Sequence, residues 1–262
     1  MNSKLVAMTM AGLMVVQSGA MANTSRVEGI GNTAIENAKA KLMALQSDVD
    51  ALDATLESAE AKIIAREKTT LFTAANVAGA ALGAGLTALS YFTLKKAGTD
   101  GVNRAIAIGA GIFTVVSGVA GHLDGNAKGE TVTVETAKQI QIVRDNVKAS
   151  FSDLNDDDTN QQLADLDTRL QYLLGDLGRF NQEENEDAKA KVKAQLAQVI
   201  GVALSVAGGT MGRSDLVTLG SVILSVGNIS TLIRSMDDSQ AELILKEIKD
   251  TRKLVQATFV AP

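Results

Sequence analysis

The chain has no cysteine and no tryptophan, a single histidine, a single proline, and only two tyrosines and six phenylalanines in 262 residues. Without cysteine there is no disulfide framework, no thiolate zinc site and no cysteine nucleophile. One histidine, His122, cannot build a multi-histidine metal cage. The only proline is Pro262, at the last position. A β-sandwich or an α/β enzyme of this length would use turn prolines and strand aromatics, and both are missing. What is abundant is Ala, Leu, Val and glycine, with 46% apolar residues and 23 glycines. The composition therefore points to an all-α chain of long helices and argues against most enzyme classes.

Residues 1–22 read as a secretory signal peptide. Lys4 supplies the positive start, Leu5 to Val16 form a short apolar core, and Ala20-Met21-Ala22 gives the small-x-small cleavage pattern. Twelve apolar residues are too few to span a bilayer comfortably. Cleavage after Ala22 removes Lys4 and moves the formal charge from −5 to −6. A chain this acidic is not expected to bind nucleic acid. The expected location is the bacterial envelope or outside it: periplasmic, secreted or membrane-associated.

After a polar lead over 23–32, a heptad seam begins with Leu42, Leu45, Val49, Leu52, Leu56, Ala59 and Ile63. A second seam runs through Leu163, Leu166, Leu170, Leu173, Leu177 and Phe180. Shorter amphipathic runs use Ile140, Val143, Val147 and Phe151, then Ile244, Ile248, Val255 and Phe259. Such helices are soluble only if their apolar stripes pack on one another, which implies an elongated bundle or coiled coil.

Between the amphipathic helices lie four uncharged stretches, 71–94, 105–123, 194–212 and 216–233. At 1.5 Å per residue they reach from about 27 to about 36 Å, the thickness of a bilayer core. They pair into two apolar hairpins, 71–123 and 194–233. Each half of the chain then runs heptad helix, apolar hairpin, amphipathic helix: 23–151, an acidic linker at 152–160, and 161–262. Leu52–Leu56 beside Leu166–Leu170, and Val147–Phe151 beside Val255–Phe259, are short local echoes. They suggest an internal duplication of about 110 residues.

Small residues recur at four-residue spacing in the apolar stretches: Ala75, Gly79 and Gly83; Ala110, Thr114 and Gly118; Gly201, Ser205 and Gly209. Such ridges let helix backbones approach closely where the hydrophobic effect cannot drive association. Phe72 and Tyr91, with Phe92 next to it, stand about 28 Å apart on the first helix and read as interfacial rings. Lys95 and Lys96 follow as snorkelling anchors in a loop expected on the inner side of a membrane.

Candidate chemistry is sparse. Asp153 to Asn160 offers alternate oxygen ligands, but Asp158 stands where a calcium loop has glycine and Ala164 where it has a bidentate glutamate. It reads as a solvated linker with Asp158 or Thr159 capping the next helix. Gly29-Ile30-Gly31 and Gly109-Ala110-Gly111 follow no strand, and Gly208 to Ser214 lacks the phosphate-loop lysine. His122 reads as an interfacial or capping side chain. Asp48 and Asp50 read as a solvated helix face. No catalytic constellation, metal or cofactor is expected.

This organisation resembles the α-helical pore-forming toxins, in which a long bundle shelters an apolar hairpin that later enters a membrane. The resemblance is architectural and covers most of the mature chain. It carries no residue across, and it departs from the usual pattern in having two hairpins and two halves. It implies a non-enzymatic, membrane-active protein whose partners are lipid and further copies of itself. Two other readings stand beside it: a constitutive four-span inner-membrane protein with periplasmic coiled-coil domains, and a soluble periplasmic bundle.

Overall fold

A computed structural model describes residues 27–65, 70–92, 100–123, 130–152, 156–183, 185–237 and 240–260. Residues 1–22, Lys95 and Lys96 lie outside them, and the side chains of Tyr91, Phe92 and Phe259 are likewise not described. Every regular element among the described residues is a helix. In order these are α1 (Val27–Ile64), α2 (Thr70–Phe92), α3 (Asp100–Leu123), α4 (Glu130–Phe151), α5 (Asp157–Glu183), α6 (Glu186–Thr210), α7 (Ser214–Arg234) and α8 (Ala241–Val255). A single π-helical turn, Gln256–Val260, closes the last of them.

The chain divides into two units, one ending at Lys41 and one from Leu42 to the C-terminus. In the first, helix α1 starts at Val27, earlier than the polar lead suggests: Gly29, Gly31 and Asn32 are all helical. These residues weaken a helix but do not break it, whereas proline, which would, is absent.

The second unit contains a continuous core. Helix α6 occupies its centre. Sixteen of its 25 residues are buried, and it packs against α2, α3, α5 and α7. Helix α2 also packs on α7, α3 on α4, and α8 on α7. The sequence explains the choice of α6: from Ala194 to Gly208 every side chain but Gln195 and Gln198 is apolar or small, so almost no face requires water. The amphipathic helices turn their stripes inward. Leu45, Val49, Leu52, Leu56, Leu166, Leu170, Leu173 and Leu177 are all buried, and Leu163 is half-buried. Leu42 differs from the other heptad positions, being 57% exposed. Full burial of a leucine is worth about 1.5–3 kcal/mol, so these stripes are the main force attaching the amphipathic layer.

Helix starts are set by local chemistry. Asn185 caps α6, its Oδ1 accepting from the Ala188 amide at 2.8 Å. Asp156, and not Asp158 or Thr159, caps α5: its Oδ2 accepts from the Thr159 amide at 3.2 Å and from the Thr159 hydroxyl. Asp157 and Asp158 are already inside the first turn, where negative charge suits the helix dipole.

Candidate membrane hairpins and their sheath

Four helices are long and apolar enough to cross a membrane: α2, α3, α6 and α7. They form two hairpins that are built differently.

The second hairpin, α6–α7, is joined backbone to backbone. A Cβ built on Gly201 would lie 2.6 Å from the Leu224 nitrogen and 2.7 Å from the Gly220 oxygen. One built on Gly220 would be 2.5 Å from the Gly201 oxygen and would also strike Ser205. At Gly208 the obstacle is the Val217 nitrogen at 2.7 Å, and at Gly227 it is Gln198 Cγ at 2.7 Å. Real Cβ atoms do not approach that closely, so four glycines are required for this contact. The turn is as specific. The Arg213 amide donates to the Gly208 oxygen at 2.8 Å and the Gly212 amide to the Gly209 oxygen at 3.1 Å. This is the Schellman pair, and Gly212 takes the left-handed φ of 64° that it demands.

Polar ties hold this hairpin to its sheath. On α5, Arg169 donates to Gln198 Oε1 at 2.7 Å, and Asp176 pairs with Lys191 at 2.7 Å. Gln198 also reaches Thr231 at 3.4 Å, and Arg234 pairs with Asp187 at 2.9 Å across the hairpin itself. Gln195 Oε1 is buried without a hydrogen bond.

The first hairpin, α2–α3, packs by side chains. Its close glycines are Gly85, whose Cβ would fall 2.5 Å from Ile200 Cγ2, and Gly111, whose Cβ would fall 2.7 Å from Val143 Cγ2. Neither partner lies in the hairpin itself: Ile200 belongs to α6 and Val143 to α4. Gly79, Gly83 and Gly118 have no atom within 4 Å of a Cβ position. The ridges Ala75–Gly79–Gly83 and Ala110–Thr114–Gly118 therefore do not bring α2 and α3 backbones together. Thr114 and Gly118 are exposed, and Ala75, Gly83 and Ala110 are half-buried. In the second hairpin Gly201 and Ser205 make the close approach, while Gly209 points into open space. Four-residue spacing identifies a face, and which helix that face meets is decided by the rest of the bundle.

Hydroxyl groups within the apolar helices are satisfied locally. Thr114, Ser205, Ser221 and Thr231 each donate to the carbonyl four residues earlier, at 2.9–3.1 Å. A hydroxyl bonded this way needs no water, so it tolerates a protein core or a lipid environment equally. Bonds that attach the first hairpin to its neighbours include Thr87 to Asp48 of α1 at 2.6 Å, Ser230 of α7 to the Ala74 oxygen at 2.8 Å, and His122 to Asn181 of α5 at 2.7 Å. Asp48 is thus half-buried and engaged rather than part of a purely solvated face. His122 is neither interfacial nor a cap: it is 6% exposed, edge-on to Phe180 with ring centroids 5.7 Å apart.

Of the expected interfacial groups, Phe72 is 64% exposed and lies under the Lys62 ammonium, 5.5 Å from the ring centre. Among the described residues of the four helices it is the only strongly exposed large apolar side chain. The first turn of α3 at Gly101 abuts the Thr210 oxygen at the end of α6.

An ion network was not anticipated from the sequence. Arg252 of α8 reaches Asp53 at 2.9 Å and Glu57 and Glu60 at 3.2 Å on α1. The Asp53 carboxylate, by hydrogen bond and charge, stabilises the guanidinium and raises its pKa. The signal available was the acidic stripe Asp53, Glu57, Glu60 at helical spacing beside the leucine seam. A cleft of about 550 Å³ between α4 and α5 has a floor including Val143, Val147, Phe151 and Leu166, and a rim bridged by the Arg144–Asp167 ion pair. Among the described residues no group of three or more acidic, histidine or cysteine side chains converges as a metal site.

No family model, curated protein or solved structure matches this chain.

Proposed function

We propose that this is an exported, non-enzymatic, membrane-active protein whose bundle is the closed, water-compatible form of a molecule that inserts apolar helices into a bilayer. One observation carries the reading: four helices of spanning length pack their apolar faces on one another, with α6 at the centre and amphipathic helices laid against them. Cleavage after Ala22 delivers the chain to the bacterial periplasm or beyond, and lipid is its partner. Once inserted, the outward ridge Ala110–Thr114–Gly118 is free to meet further copies and build a pore or a scaffold. The two repeated orders of elements fit a duplicated ancestor, and the long leucine seams fit coiled-coil packing of the sheath.

The constitutive four-span alternative sits poorly with the packing of α5 on α6, because α5 would carry Asp165, Asp167, Arg169 and Asp176 into lipid. A permanently soluble bundle is favoured by a different feature: among the described residues, the exposed hairpin side chains other than Phe72 are small or polar, Asn76, Asn103, Thr114 and Asn228 among them, as a surface in water would be. One experiment separates all three. The chain lacking residues 1–22 is purified without detergent, centrifuged, then mixed with dye-loaded anionic vesicles. The proposal expects a monodisperse protein that floats with vesicles and releases dye. Pelleting without detergent indicates the four-span protein, and a soluble protein that neither floats nor leaks vesicles from pH 5 to 8 indicates the soluble bundle.

A further inference from the structure

Building on the membrane reading, we infer that the first hairpin, α2–α3, is the element that enters the bilayer, while α6–α7 stays behind as the zippered centre of the bundle. Three independent observations converge. Length is the first. Helix α2 is uncharged over all 23 residues from Thr70 to Phe92, about 34 Å. Helix α3 is uncharged from Ala105 to Leu123, 19 residues or about 28 Å. In α6 the charges at Lys189, Lys191 and Lys193 leave only 194–210, 17 residues or about 25 Å, and Gln195 and Gln198 interrupt even that. The bilayer core is about 30 Å thick. Helix α6 thus has the shortest uncharged run of the four, and glutamines divide it.

Attachment is the second observation. Drawing α6 out of the bundle breaks the Lys191–Asp176 pair and the Arg169–Gln198 bond, and would carry a lysine and two amides toward lipid. Drawing out α2–α3 breaks the Thr87–Asp48, Ser230–Ala74 and His122–Asn181 bonds and leaves the α6–α7 backbone contact intact. The third is surface. Phe72 is exposed at one end of α2, and Gly83 and Thr114, near the middles of α2 and α3, already face outward or open space.

Those open positions make a clean test, because arginine fits there in the closed bundle but is costly at the middle of a bilayer. Leu82 would serve badly, being 6% exposed. Purified Gly83→Arg and Thr114→Arg proteins are compared with Ser225→Arg, at the middle of half-buried α7, in dye release from anionic vesicles, with thermal melts confirming folding. The first two should need about 100-fold more protein for equal release, and the third about the same as wild type. Because the chain has no cysteine, a lock can be added. A Cβ on Gly111 lies 3.5 Å from Val143 Cβ, and one on Gly85 lies 3.4 Å from Ile200 Cβ, close to disulfide geometry. Oxidised Gly111→Cys/Val143→Cys and Gly85→Cys/Ile200→Cys proteins should release no dye, and reduction should restore release. Release by the oxidised locks, or loss in Ser225→Arg equal to that in Gly83→Arg, overturns the assignment while leaving a membrane protein. Wild-type protein that neither floats nor releases dye removes the membrane reading and this inference with it.

Discussion

The two apolar hairpins have similar lengths and compositions, yet they solve packing differently. In α6–α7 glycine allows one backbone to rest on another, so the pair forms a unit that cannot open without losing its fit. In α2–α3 each helix leans on something else, α2 on α6 and α7, α3 on α4 and α6. What the contrast teaches is that glycine content alone does not report intimacy. The first hairpin is glycine-rich as well, but a Cβ on Gly83 or Gly118 would meet nothing within 4 Å, and these two are half-buried and exposed. Those positions leave a face that the closed bundle does not use, and an unused face is what an inserting element requires.

The largest effect that would break this comparison is steric. Gly220→Leu puts a branched side chain where a Cβ would already be 2.5 Å from the Gly201 oxygen. It should cost about 3 kcal/mol or more and separate α6 from α7. Gly83→Leu should leave the melting temperature unchanged or raise it, and Gly83→Ala should gain up to about 1 kcal/mol from helix propensity. Circular dichroism melts measure both. Equal losses at Gly83 and Gly220 would mean that the first hairpin is zippered too.

A smaller difference is expected between the ties. Arg169→Met leaves the buried Gln198 oxygen without its partner and should cost about 2 kcal/mol, a charged hydrogen bond in a largely buried place. Thr87→Val removes a hydroxyl from the half-buried Asp48, which can turn to water, and should cost about 1 kcal/mol or less. Denaturant titrations resolve the pair, and a reversed order would contradict the claim that the second hairpin is the more firmly tied.

The smallest effect lies at the start of α5. The Thr159 hydroxyl and amide hold the Asp156 carboxyl below its ordinary value of 3.8. A depressed carboxylate contributes stability above the unfolded pKa and loses it as pH falls through the folded one. Asp156→Asn keeps a capping oxygen without the titration. Wild type should therefore melt slightly above the variant at pH 7, and the gap should close as the pH falls below 3.8 and the carboxyl protonates. A gap that persists unchanged at pH 2.5 would show that the charge is irrelevant.

Much of the architecture was legible because it rests on periodicity. Leucines at steps of three and four, from Leu45 to Leu56 and from Leu166 to Leu177, can be buried together only on a helix, and they are. The four apolar helices were legible because an uncharged run of 18 residues or more has few other uses. What escaped depends on neighbours distant in sequence. Nothing near Gly220 or Gly227 says that Gly201 and Gln198 will lie against them. His122 reads as a helix end until Asn181 and Phe180, some sixty residues on, enclose it. The cap at Asp156 lies two or three residues from where the composition suggests, because six polar residues in a row, Asn155 to Asn160, each offer an oxygen.

The account rests on α2–α3 opening more easily than α6–α7, and residue-resolved hydrogen exchange of the chain lacking residues 1–22 tests that most directly. In buffer, amides of α6 and α7 should exchange only through global unfolding, with the slope in denaturant that global unfolding has. Those of α2 and α3 should exchange through a cheaper opening with a shallower slope. On adding anionic vesicles, exchange in α1, α4 and α5 should speed up while α2 and α3 become protected by lipid. Identical protection of both hairpins in buffer, with no change in any helix on adding vesicles, would contradict it.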